Sequence, residues 1–479
     1  MIYASFITVK KSKFIRMKKQ TGLITLITAV CLASCNPSQD DMQRKDIQLI
    51  TVAPGHFHAA LVQKSMYPQV DSVVHVYAPE GVELDAYLAL IDQYNTRGES
   101  PTRWDEAIYT GTDFLERMLE ERKGNVVVLA GNNRDKIDYI TRSIDAGLNV
   151  LADKPMAINT EGFSKLVDAF ARADEQGVLL YDIMTERYEI NTMLQKELSQ
   201  VPDFFGGLKK GTADNPAITK ESVHHFFKEV SGKPLVRPVW FYDSRQQGEG
   251  LVDVTTHLVD MVQWESFPGE VIDHERDIEL ISAKRWPTLL SPAQFERSTG
   301  QREIPAFLEE SVREDGNLAV FANGEINYTL KGVHAKVSVI WNFEAPQGTG
   351  DTHYSIMRGK YADLIIKQGA EEGYKPVLYV ESTGERDTAA FEAALTQAIE
   401  QLRADYKGLA FEPVAPGRYR VSVDPSLVTT HEEHFAQVTE KYLGFLESGA
   451  MPEWEVPNMI AKYYLTTKAL TEAETVTAP

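Results

Sequence analysis

The strongest constraint on the fold is a rhythm in residues 46–185, where short β-branched runs alternate with amphipathic stretches of helical period. The apolar runs fall at 47–53, 73–77, 125–130, 149–152 and 178–182, and helical patterns fill the intervals at 59–66, 84–94, 113–122, 136–146 and 161–176. Strands separated by a helix each cannot pair as hairpins, so the pattern predicts βαβ units in a parallel sheet with helices on both faces, a doubly wound α/β domain of the Rossmann type.

Beyond about residue 200 the rhythm breaks. Strand-like pieces at 318–321, 326–331, 335–341 and 364–367 follow one another without helices, which predicts an α+β second domain over 186–479 with a mostly antiparallel sheet. A helix near 388–406 and a helix pair over 430–469 close the chain as a C-terminal extension.

The first 34 residues stand apart. Lys10, Lys11, Lys13, Arg16, Lys18 and Lys19 precede an apolar run from 22 to 34, too short to span a bilayer, in the layout of a signal peptide. The run ends in Leu32-Ala33-Ser34-Cys35, which resembles a bacterial lipobox and makes Cys35 the expected lipidation site, with 35–45 as a polar tether. The expected location is the outer membrane, on its periplasmic face or at the cell surface, with membrane contact through the lipid anchor alone. Residues 1–34 carry six positive and no negative charges, so their removal takes the formal charge from −20 to −26 and disfavours nucleic acid as a partner. Cys31, the only other cysteine, lies inside the signal, which leaves the mature chain no thiol for disulfides or a cysteine-rich metal site.

The first strand runs into Ala53-Pro54-Gly55-His56-Phe57-His58, at the place where a dinucleotide fold puts its phosphate-binding turn. Only the second glycine of the G-x-G-x-x-G pattern is present, as Gly55; Ala53 and His58 stand at the first and third positions, and position before a helix is the remaining argument for anion binding. After the second strand Glu80 is the acidic candidate for the adenine ribose, and the absence of Arg or Lys there favours NAD over NADP. His431 and His434 flank two glutamates without zincin spacing, and no metal is expected.

Two further segments carry the clearest signal. Asn125–Asn133 ends in Gly131-Asn132-Asn133, and a helix later the chain reads Ala146-Gly147-Leu148-Asn149-Val150-Leu151-Ala152-Asp153-Lys154-Pro155; downstream comes Asp253-Val254-Thr255-Thr256-His257-Leu258-Val259-Asp260 after glycines 248 and 250. Together these resemble the glucose-fructose oxidoreductase and inositol dehydrogenase (Gfo/Idh/MocA) family, with Asp153 in place of the Glu of a Glu-Lys-Pro signature. The i, i+4 spacing puts Asp253 and His257 on one helix face, and His257 has a suitable ordinary pKa for proton transfer. The resemblance implies that Lys154 binds the reacting oxygen near the nicotinamide, that His257 is the general acid/base and that Asp253 orients substrate or histidine. Candidate substrate contacts are His224, His225, Arg237, Trp240 and Asp260, in segments where aromatic and hydrogen-bonding groups are mixed as a sugar ring requires.

The expected activity is NAD(P)-dependent oxidation or reduction of a sugar, glycoside or cyclitol by a homo-oligomer. Two alternatives stay open: a glycosidase that oxidises transiently, eliminates and returns the hydride, and a sugar-binding lipoprotein without catalysis.

Overall fold

The computed structural model describes residues 46–230 and 233–477; the signal segment, Cys35 and the tether lie outside the described residues. Strands β1 (Leu49–Val52), β2 (Val73–Ala78), β3 (Asp105–Thr110), β4 (Val126–Leu129), β5 (Asn149–Asp153) and β6 (Leu180–Ile183) form a wholly parallel sheet in the order β3-β2-β1-β4-β5-β6. Helices α1 (Val82–Thr96), α2 (Phe114–Glu121), α3 (Asn133–Asp145) and α4 (Thr160–Gln176) provide crossovers. β1 and β4 are neighbours, so the topological switch point lies at their carboxyl ends, where such sheets bind ligands.

Two local readings are corrected. β3 escapes sequence inspection because it is an edge strand whose side chains mostly face solvent, so it lacks an apolar signature. The helix expected over 59–66 is a single turn, His58–Leu61. It stops because Tyr67 Oη donates to the Val62 carbonyl at 3.0 Å and Trp104 Nε1 to the Gln63 carbonyl at 2.6 Å, so side chains take acceptors that a continuing helix would use.

After α5 (Ile190–Ser199) the second sheet begins with β7 (Ile218–Phe227) and continues, past α6 (Val254–Ser266), with β8 (Ile278–Leu290). Following α7 (Pro292–Thr299) come β9 (Leu318–Leu330), β10 (Val333–Glu344), β11 (Thr352–Arg358), β12 (Ala362–Gln368) and β13 (Val377–Ser382). The chain then runs through α8 (Thr388–Leu402), β14 (Ala410–Ala415), β15 (Arg418–Ser422), α9 (His431–Ser448), α10 (Glu455–Glu472) and β16 (Glu474–Thr475). Among the described residues this sheet has ten strands, ordered β14-β15-β13-β12-β11-β7-β10-β9-β8-β16, antiparallel except where β7 meets β10 and β8 meets β16. The pieces expected at 318–321 and 326–331 are one long strand, because Gly324 lets the chain pass Leu251, against which a Cβ would lie 2.4 Å away.

The C-terminal helices belong to both halves of the molecule. Phe435, Tyr442, Leu443, Met459 and Tyr463 of α9 and α10 are buried in the core of the parallel sheet, while Ala461, Leu465 and Ala469 of α10 are buried with the second sheet and α6.

Candidate active site at the carboxyl ends of the parallel strands

Lys154 follows β5 directly and Asp253 stands at the N-cap position of α6, so the end of the parallel sheet meets the start of a helix from the second half. Lys154 Nζ donates to Asp253 Oδ1 at 2.6 Å, and both side chains are about nine-tenths shielded (11% and 8% exposed). The loop bearing Lys154 is fixed from beneath by Lys136 of α3, which sequence inspection missed. Its ammonium, fully buried, donates to Asn133 Oδ1 (2.6 Å), the Asp153 carbonyl (2.8 Å) and the Pro155 carbonyl (3.2 Å), and burial pulls its pKa down to about 8.

His257 lies one turn into α6, close enough to Lys154 and Asp153 to feel both charges. Its Nδ1 is buried and makes no hydrogen bond to the protein. Burial, and then the neighbouring Lys154 charge, hold the imidazole well below its usual range, so at neutral pH it is an uncharged proton acceptor. Glu186, on the single turn after β6, also feels Lys154, and burial raises its carboxyl to about 7. Asp260 does not join this group. The Arg187 guanidinium grips both its oxygens at 2.6 Å, Lys462 of α10 adds a 2.7 Å bond, and the residue is 1% exposed, so it is a structural ion-pair centre instead of a substrate contact.

At the end of β1, Ala53 has φ +43°, and the turn packs so tightly on Gly131 that a Cβ there would lie 2.4 Å from the Ala53 carbonyl oxygen. The amides of Gly55 (3.2 Å) and His56 (3.1 Å) both donate to the Ala130 carbonyl. These two amides are therefore not free for the anion binding expected at this turn. The exposed Phe57 leads into the one-turn helix. Glu80 is exposed and accepts from Thr110 Oγ1 at 3.2 Å. A different carboxylate reaches the turn: Glu83 on the first turn of α1 would meet a Cβ on Gly55 at 2.6 Å, and it accepts from Trp240 Nε1 at 2.6 Å. The amides of Asn132 and Asn133 are spent across the two halves, on Gln246 Oε1 and on the Gln247 carbonyl, both at 2.8 Å. These two residues tie the halves together, and their side-chain amides are not free for a cofactor.

The rings of His56 and His58 turn away from the turn's mouth toward Asp153. His58 Nδ1 is 2.9 Å from Asp153 Oδ2 and His56 Nδ1 is 3.9 Å from it. Burial raises the Asp153 carboxyl, but the charges of His58, Lys136 and His56 outweigh burial and hold it far below the usual carboxylate range.

Of the remaining substrate candidates, His224 and His225 lie on β7 beside β10, and Arg237 and Trp240 follow in the segment before α6. His224 stacks on Trp341 with ring centroids 5.1 Å apart, and its Nε2 is buried without a protein partner. His225 is held at 2.8 Å by Asp351, which Lys228 also pairs; Asp351 was not foreseen. Arg237 donates to the Phe226 (2.6 Å) and His225 (3.1 Å) carbonyls, so it fastens the end of β7. Trp240 serves Glu83. Between these segments a cleft lined by Phe226, Phe241, Trp341, Ser244 and Gln247 opens beside Asp253.

Comparison with known proteins places this site in context. The model of a family described as "Putative oxidoreductase C terminal domain" matches residues 194–474. A crystal structure of a "putative oxidoreductase" from Parabacteroides merdae is 54% identical, with a TM-score of 0.88 over 90% of this chain and 98% of that one. An oxidoreductase structure from Thermotoga maritima (14% identity, TM-score 0.57, 89% and 98% covered) shares the fold. So does KijD10, a 3-ketoreductase from Actinomadura kijaniata in complex with NADP and TDP-benzene (14% identity, TM-score 0.52, 90% and 99% covered). No curated protein matches the chain.

Proposed function

Because the chain belongs to the oxidoreductase family defined by that C-terminal domain, of the glucose-fructose oxidoreductase and inositol dehydrogenase type, we propose that it transfers hydride between NAD(P) and a ring carbon of a sugar, glycoside or cyclitol. One observation carries this reading: the Lys154–Asp253 pair and the unpartnered His257 Nδ1 lie together at the carboxyl ends of the parallel strands.

The residues present suit a nicotinamide dinucleotide at its reactive end, since buried His257 Nδ1 lacks a partner there, and less well at its pyrophosphate, where two turn amides are already spent. Glu83, beside Gly55, suits ribose hydroxyls and repels a 2′-phosphate, which favours NAD; the NADP bound to KijD10 is the counter-example within the fold. When bound, the cofactor supplies the acceptor or donor of hydride.

The chain's own groups handle the proton and the charge. Lys154, held by Asp253, donates to the reacting oxygen and stabilises negative charge as it develops. Neutral His257 removes the hydroxyl proton in oxidation and returns it in reduction. Phe226, Phe241 and Trp341 form the apolar lining beside Asp253, with Ser244 and Gln247 among its polar groups.

A second reading, oxidation followed by elimination of an aglycone and return of the hydride, is favoured by Glu186, a further carboxyl near Lys154 raised to about 7 and suited to move a second proton. Export as a lipoprotein through Cys35 and assembly of like copies complete the proposal, and a Cys35→Ala chain would leave the membrane fraction.

The deciding experiment denatures the purified mature protein, made through its own export route, and assays the supernatant for nicotinamide nucleotides. About one NAD(H) per chain supports the redox reading, and net hydride transfer to an added acceptor then separates simple dehydrogenation from transient oxidation. A chain that releases none and binds neither NAD nor NADP overturns it.

A further inference from the structure

We infer that His56, His58 and Asp153 form a binding site for one divalent transition-metal cation of the zinc, manganese or iron(II) class. The inference rests on the preceding functional reading only for the use of the metal, not for its binding.

Three donor atoms, one from each residue, lie within 4.8 Å of one another. A cation with metal–ligand bonds of about 2.0–2.2 Å holds neighbouring donors about 3–3.6 Å apart. The 2.9 Å and 3.9 Å separations of the two histidines from Asp153 Oδ2 bracket that spacing, and the two histidine donors lie within 4.8 Å of each other. Two imidazoles and a carboxylate, with no thiol, match borderline cations and leave coordination positions open.

The surroundings supply more donors of the same kind. His431, at the start of α9, brings its ring centroid to 5.7 Å from that of His58 and packs on Phe435 at 5.3 Å, whereas His434 is occupied by Thr429. His257 feels the charges of both Asp153 and His431, and its Nδ1 has no partner. Four of the eleven histidines in the chain thus gather near one carboxylate from three separate places in the sequence. A hydrogen-bonded His58–Asp153 pair alone would not require His56, His257 or His431 to be there. The site also explains why the turn after β1 carries two histidines where a phosphate-binding turn carries small residues.

Beside Lys154, the cation would act as a Lewis acid on an oxygen of the bound alcohol or ketone, lowering the pKa of a hydroxyl or of the C–H next to a carbonyl. No electron is exchanged with the metal in that role.

The test measures metal content by inductively coupled plasma mass spectrometry on the full mature chain as isolated. It then follows Co(II) and Mn(II) binding after chelation, by ligand-field absorption and electron paramagnetic resonance respectively. The expected result is about one equivalent per chain, with affinity lowered at least 100-fold in His56→Ala and in His58→Asn, since even second-shell changes typically cost about 10- to 100-fold. Circular dichroism of each variant excludes unfolding as the cause, and the imidazole-rich Co(II) spectrum of the wild type stands independently of the variants. Isolated protein with under about a tenth of an equivalent that also fails to take up Co(II) or Mn(II), or affinity unchanged in both variants, overturns the site. Nucleotide binding by the same preparation separates the two proposals: NAD(H) bound with no metal content and no metal uptake sinks only the cation site, and metal uptake with neither release nor binding of NAD or NADP sinks only the redox reading.

Discussion

At the residue scale, chemically similar groups seven positions apart have opposite roles. Asp253 and Asp260 belong to the same signature, yet Asp253 faces Lys154 in the cleft, whereas Asp260 is sealed between Arg187 and Lys462. Their substitutions therefore separate activity from stability. Lys154→Ala should lower kcat by about 10²- to 10⁴-fold in single-turnover hydride transfer and cost less stability than Asp260→Asn, because it removes a group that acts on developing charge and leaves one carboxylate, Asp253, without its cation. Asp260→Asn should instead cost about 3–5 kcal/mol in denaturant unfolding, because two buried cations, Arg187 and Lys462, each lose one of two carboxylate partners. A large loss of stability in the first, or none in the second, would reverse these assignments. The signature residues were legible because their spacing is local. The part Asn132 and Asn133 play in joining the halves was not legible, because their partners, Gln246 and Gln247, are 114 residues away.

At the element scale, the edge strand β3 was invisible to pattern inspection, and it carries a buried carboxyl as a consequence of its register. Glu106 accepts from Gln63 at 2.7 Å and Tyr87 at 3.1 Å, and burial raises its carboxyl to about 7. A folded-state pKa above the unfolded value means that the native state holds the proton more tightly. Stability from this group is complete below about pH 4.5 and is lost as the pH rises through about 7. Glu106→Gln keeps an acceptor and removes the titration, so it should stabilise the fold by about 2 kcal/mol at pH 8 and leave it unchanged at pH 4.5. Equal effects at both pH values in chemical denaturation would show that Glu106 is not the titrating group. The one-turn helix after β1 follows the same logic, since its length was decided by Tyr67 and Trp104 taking its carbonyls.

At the scale of the whole molecule, the C-terminal pair α9 and α10 joins the two halves. Lys462 pairs with Asp182 of β6 (2.8 Å) and Asp260 of α6 (2.7 Å), so one buried ammonium links both sheets' supporting elements. Fully burying each large apolar side chain contributes about 1.5–3 kcal/mol, so Phe435, Tyr442, Leu443, Met459, Tyr463 and Leu465 together approach the whole stability of a typical domain. A chain ending at Ser422 should therefore fail to fold, with near-UV circular dichroism lost and a hydrophobic dye bound. A soluble truncated chain with native near-UV signal would make the pair a dispensable appendage.

The alternation of apolar runs and helices determined a doubly wound parallel sheet, since backbone hydrogen bonding and the burial of two faces leave few other arrangements for that pattern. Lys154, Asp253 and His257 were identifiable on another ground, because the two short segments that carry them resemble the signatures of a known family. Which groups surround them was decided by tertiary structure alone. Glu83, Lys136, Asp351 and His431 reach the site from α1, α3, the loop before β11 and the last helix pair, and nothing in their local sequence distinguishes them from surface residues. Proximity across hundreds of residues follows from how the cores close, and one-dimensional periodicity does not encode that closure.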